Sequence, residues 1–187
     1  MDRREFLEAI AGISALGPTL VFAQELHARA QAAVSLRTLN PVQDAAVTCI
    51  ADLLLPETDS VGASSVGVNR FIDLLLTESL PQAQRERFLA GLAAIDARSQ
   101  ALYGAPFATA RRPQQESLLR LLDVHARSQN PAPAESAARA GESVSAEDGF
   151  ASLKRLVVFA YFTSEPVAKG LINAPIIPGR YDGCVPV

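Results

Sequence analysis

Few residues in this chain are of types that do chemistry: two histidines, His27 and His125, two cysteines, Cys49 and Cys184, and scattered carboxylates. His125 follows Asp123 and precedes Ser128, so a base, an orienting carboxylate and a hydroxyl lie close together in sequence. Neighbours along one helix do not converge as an acyl-transfer triad must, and a basic side chain near a helix C-terminus is accounted for by the helix dipole. His27 sits in an Ala-rich polar stretch that shows no strong periodicity. In an oxidising compartment Cys49 and Cys184 could pair, closing a loop worth about 4 to 5 kcal/mol in the chain-entropy model. Equally, Cys49 suits a small hydrophobe on an apolar helix face, and Cys184 suits a free thiol or one that meets another chain. No dinucleotide fingerprint, haem-attachment motif or Cys/His cluster with metal-ligand spacing occurs. Gly62 and Gly67 have the spacing of a phosphate loop, but Val68 and Asn69 stand where Lys and Ser or Thr are required. The expectation is a chain with no catalytic constellation that binds no flavin, haem or metal itself.

The element that must organise the rest is Phe150 to Pro166. Phe150, Leu153, Val157 and Tyr161 fall at helical spacing, and seven consecutive apolar residues run from Leu156 to Phe162. A helix greasy on every side is normally buried. The β-branched and aromatic residues of the run also suit a strand, but it continues a 3.6-period segment whose solvent edge is Lys154 and Arg155, and no pairing strand offers itself. Glu147 and Asp148 are placed to stabilise the helix N-terminus.

Around this core the sequence predicts an all-α, single irregular domain of about five helices. With 187 residues, 49% apolar and 20% charged, one domain with a sizeable core is the default. A net charge of -3 supplies no basic patch to neutralise phosphates, which argues against nucleic-acid binding. Asn40-Pro41-Val42-Gln43 reads as a cap, a first-turn proline and a capping-box partner. It opens a helix over 41–55 with Val42, Ala46, Cys49, Ile50, Leu53 and Leu54 inward. A turn-rich loop follows to Gly67. Further helices are predicted over 68–77 (Phe71, Ile72 and Leu75 inward) and from Pro81 to Tyr103, capped by Ser79, with Phe88, Leu89, Leu92, Ile95 and Leu102 inward. Another opens at Pro113, with Leu118, Leu119 and Leu122 inward. Residues 129–146 lack large apolar side chains except Val144 and read as a mobile excursion. Pro166 can begin a short helical turn through Gly170, and the Pro/Gly-rich tail is irregular.

The N-terminus reads as a signal peptide over residues 1–23. Arg3 and Arg4, then Phe6 and Leu7, precede an apolar run from Ala9 to Ala23 and the small-residue pattern Val21-Phe22-Ala23. The run is short of the roughly 20 residues that span a bilayer, so no anchor is expected. The paired arginines make it look like a twin-arginine leader, a route that carries folded cargo. Asp2 and Glu8 depart from the usual pattern, and an ordinary secretory leader or an N-terminal helix are the competing readings. Residues 24–39 read as an extended lead or loosely packed helix, and residues before Gln24 as outside the packed domain.

Several segments resemble the gluconate 2-dehydrogenase subunit 3 family. They are Thr163-Ser164-Glu165 behind Tyr161-Phe162, the tail from Pro178 to Pro186 (PGRYDGCVP), the loop Leu55 to Asp59, the approach to Phe71-Ile72-Asp73, and Phe88 to Leu92. The resemblance covers residues 40–187. It implies a non-catalytic small subunit of a periplasmic, membrane-associated dehydrogenase that oxidises sugars, aldonates or glycosides. The implied large partner is a glucose-methanol-choline-type flavoprotein holding FAD, often with a cytochrome c subunit whose haem takes the electrons. Ile176, Ile177, Tyr181 and Val185 lie in proline-rich backbone that cannot form an amphipathic element, so they are expected to cap the central helix, dock the partner, or both. A free-standing periplasmic binding or chaperone module, and an enzyme built around His125 or surface carboxylates, are the alternatives.

Overall fold

In the computed structural model, which describes residues 20–33, 35–128 and 144–172, the chain forms α1 (Leu20–Ala32), α2 (Pro41–Leu54), α3 (Val68–Glu78), α4 (Gln82–Tyr103), a 3₁₀ turn (Phe107–Thr109), α5 (Arg112–Ser128), α6 (Ala146–Thr163) and a last short turn, α7 (Glu165–Val167), that continues as a π-helix (Ala168–Ile172). No strand occurs among the described residues, and the fold is all-α. Arg3, Arg4, Phe6 and Leu7, residues 129–143, and the tail residues Ile176, Ile177, Tyr181, Cys184 and Val185 lie outside the described residues.

The apolar run takes the helical option. Ser145 caps α6 by accepting from Asp148 N at 3.1 Å, and Glu147 and Asp148 occupy its first turn, where the helix dipole favours negative charge. Every residue from Leu156 to Tyr161 is buried. α6 packs most extensively on α4, then on α5 and α3, and also touches α1 and α2. Lys154 and Arg155 are half-buried rather than a fully solvated edge. Lys154 Nζ meets Asp123 Oδ1 at 2.6 Å, and burial lowers the pKa of Arg155, opposed by the nearby Asp148 carboxylate.

The close approach of α4 and α6 depends on two facing glycines. A Cβ added to Gly91 would lie 2.6 Å from Gly149 Cα, and one added to Gly149 would lie 2.5 Å from the Gly91 carbonyl oxygen. Backbone against backbone lets Phe88, Leu92 and Ile95 of α4 reach the core that Phe150, Leu153 and Val157 fill from α6. Such dense packing leaves little room for an extra methyl group.

The turn after α4 is fixed by helix side chains. Gly104 closes α4 in the left-handed region at φ 71°. Asp96 Oδ1 then accepts from Phe107 N at 2.9 Å, and the buried Gln115 Nε2 donates to Phe107 O at 2.8 Å. The loop between α2 and α3 is pinned at its middle, by Ser64 N donating to Asp52 Oδ1 at 3.0 Å and by Tyr161 Oη donating to Val61 O at 2.8 Å.

Some elements differ from expectation. The α2 capping box forms as read, Asn40 with Gln43, but the helix buries Ala46, Val47, Ile50 and Ala51, and Val42 is 56% exposed. α2 is apolar around most of its circumference, so its packing partners choose the face. Ser79 ends α3 instead of capping α4, whose first turn follows Pro81 with no side-chain cap. Leu102, expected inward, is 48% exposed in the last turn of α4. Ala146, read from sequence as the last residue of the excursion, is buried in the first turn of α6. The largest difference is at the N-terminal end. Of the two readings of residues 24–39, an extended lead or a loosely packed helix, the helix is found up to Ala32 as α1, and it is not loose: Ala23, Leu26 and Ala30 join the core with Ala23 fully buried. Ala23, which precedes Gln24, therefore takes part in the packed domain.

Candidate functional site

The structure concentrates its buried polar chemistry where α1 and the segment after it meet α3 and α6. Ala23, Leu26, His27 and Ala30 are spaced i, i+3, i+4, i+7, so they form one stripe along α1. All four are buried. The His27 ring lies over Phe71 with centroids 4.2 Å apart, and Phe71 in turn faces Phe159 at 5.9 Å. His27 Nε2 is 3.2 Å from Thr163 Oγ1. That hydroxyl gives its own proton to Phe159 O at 2.7 Å, which leaves it an acceptor and assigns Nε2–H to the neutral imidazole. Burial lowers the His27 pKa to about 4, and a hydrogen bond to the Ala160 backbone opposes the shift. The neutral imidazole, wedged against the Phe71 ring and the Thr163 hydroxyl, fastens α1 to α3 and α6.

Behind α1 the chain crosses the C-terminal half of α3 over one buried carboxylate. Asp73 accepts from three successive backbone N–H groups, Arg37 at 2.8 Å, Thr38 at 2.9 Å and Leu39 at 2.7 Å. Thr77 Oγ1 donates to Asp73 O at 2.7 Å and lies 2.7 Å from Thr38 Oγ1. At the rim Glu78 takes Arg29 at 2.7 Å and Arg37 at 3.1 Å. A carboxylate with its oxygens directed at three amides is spoken for, and it holds the connection as an N-cap holds a helix start. A cleft of about 160 Å³ lies beside this latch, with Arg37, Asp44, Asn69 and Arg70 in its walls. Asn69 Nδ2 already donates to Asp44 Oδ1 there at 2.7 Å.

The other residues singled out from sequence do not converge. His125 is exposed on α5, while Asp123 is turned to Lys154 of α6. Cys49 is half-buried on α2, and burial, with the Asp52 carboxylate in second place, raises its thiol pKa. That suits a small hydrophobe better than a reactive thiolate; its pairing with Cys184 falls outside the described residues. Among the described residues no group of three or more His, Cys, Asp or Glu is placed to hold a metal, and every buried side-chain nitrogen or oxygen has a hydrogen-bond partner. Sequence reasoning missed His27 and Asp73. The α1 stripe was available as a signal, but two of its four members are Ala and one is His, so it does not stand out as apolar.

The comparison with known families says what kind of chain this is. The family model for gluconate 2-dehydrogenase subunit 3 matches residues 41–179. The chain belongs to the gluconate 2-dehydrogenase subunit 3 family. No curated protein and no solved structure matches it. As a subunit 3 it is of the accessory type in a multi-subunit dehydrogenase complex. The match opens at Pro41, the first residue of α2, so α1 lies outside the matched span while lying inside the packed fold.

Proposed function

We propose that this chain is the non-catalytic small subunit of a periplasmic FAD-dependent dehydrogenase of the glucose-methanol-choline type, acting on a sugar, an aldonate or a glycoside. In this reading it escorts the flavoprotein through twin-arginine export and stabilises it afterwards. The flavoprotein holds FAD and the catalytic base, and a cytochrome c subunit with covalent haem takes the electrons where one is present. In this reading membrane association comes through the complex; among the described residues no helix is long and apolar enough to cross a membrane.

The observation that carries the proposal is the subunit 3 match over residues 41–179. It is supported by the leader-like N-terminus with Arg3 and Arg4, and by the tail apolar residues Ile176, Ile177, Tyr181 and Val185, a docking surface in this reading. A partner that folds around FAD in the cytoplasm and has no leader of its own crosses only if it is held to a chain that the export machinery recognises. Replacing Arg3 and Arg4 by lysines keeps the charge but removes the planar guanidinium fork. The expected result is that subunit and flavoprotein remain together in the cytoplasm, read by fractionation and periplasmic dehydrogenase activity. Should the flavoprotein still reach the periplasm, the escort role fails and the subunit acts after export. A lone chain with no flavoprotein bound would favour a free-standing binding or chaperone module.

A further inference from the structure

The bond at which a signal peptidase would remove the leader lies inside α1, and the fold holds that bond closed. The small-residue pattern Val21-Phe22-Ala23 places the cut between Ala23 and Gln24. α1 is continuous from Leu20 to Ala32, so that bond is in a helix, and Ala23 is 0% exposed. The helix is fastened at three further places: Leu26 and Ala30 in the core, His27 on Phe71 and Thr163, and Arg29 paired with Glu78 of α3. Endoproteases act on an extended segment several residues long, so cutting a docked helix requires it to open first, and the rate follows the open population. Cutting here would also remove Ala23 from the core and take away the first turn of α1.

The geometry points to a leader that is not removed once the domain has folded: α1 protects the Ala23–Gln24 bond, and the subunit keeps its N-terminal residues. This rests on the reading of residues 1–23 as an export leader. The order of events makes it consequential, because a route that carries folded cargo presents the bond to the peptidase only after α1 has docked. A route that threads unfolded chains would present it before.

The test uses the folded full-length chain with purified signal peptidase in detergent micelles, followed by intact-mass spectrometry, and does not depend on export. Wild type is compared with Leu26→Asp, which undocks α1, and with the milder His27→Gly; circular dichroism reports whether the remaining helices persist in each. The wild-type chain is expected to stay whole while the undocked variants lose residues 1–23, with rates differing by about a hundredfold. If Leu26→Asp unfolds altogether, the comparison of wild type with His27→Gly decides. Cleavage of wild type at the variants' rate overturns the protection, and failure of every chain to be cut overturns the assignment of the bond as the processing site. A subunit isolated from the periplasm with Gln24 at its N-terminus would equally overturn retention. Failure of the export reading shows up elsewhere, as an Arg3→Lys, Arg4→Lys chain that still delivers the flavoprotein.

Discussion

Acid should loosen this domain through His27, and the size of the effect follows from its surroundings. The imidazole is buried against Phe71 and Thr163, and its pKa falls from 6.5 to about 4. At pH 7 the side chain is neutral whether the chain is folded or not. As the pH falls below 6.5 the unfolded chain takes up a proton that the folded one refuses, so stability is present above the unfolded pKa and declines by about 1.4 kcal/mol per unit. The decline ends near pH 4, where the folded state is protonated too. A shift of that size corresponds to about 3 kcal/mol, a large part of the stability of a domain of this size. Other groups titrate over the same range, so the assay compares wild type with His27→Gln, which keeps a donor for Thr163 but does not titrate. In urea unfolding at pH 7 wild type should be the more stable, and the gap should close or reverse by about 3 kcal/mol towards pH 4. A gap independent of pH would show that His27 is not held neutral and that α1 is not docked as described.

Three further outcomes follow from the packing and the tail. Gly91→Ala should destabilise by about 1 to 3 kcal/mol in urea unfolding, because the new methyl group meets Gly149 Cα at 2.6 Å; at an exposed helical site the same change would stabilise. Asp73→Asn should cost about 2 to 3 kcal/mol and speed amide exchange at Arg37, Thr38 and Leu39, since an amide cannot accept from all three as a carboxylate does. Deleting Pro178 to Val187 should reduce co-purification of the flavoprotein more than it lowers helical content; unchanged recovery would leave the tail an intramolecular role only.

How much of this was legible differs from element to element, for physical reasons. α6 announces itself because a run of apolar residues with helical spacing has few places to go but the middle. The α2 capping box is written in four consecutive residues and forms as read. The docking of α1 is not legible in the sequence because small and polar residues make up most of its buried stripe, so it depends on what the helix meets, the Phe71 ring and the Thr163 hydroxyl, 44 and 136 residues away. The Gly91 and Gly149 contact and the Asp73 latch are tertiary in the same sense. Neither glycine differs locally from any other helical glycine, and Asp73 gains its meaning only from amides 34 to 36 residues earlier.

The most direct test of the account is purification of this chain at native expression from membranes, followed by gel filtration with absorbance read at flavin wavelengths. The account predicts that it elutes with a stoichiometric larger chain that carries the flavin and the dehydrogenase activity, and that separating the two leaves this chain colourless. Elution as a lone monomer, or flavin absorbance that follows this chain after separation, would contradict it.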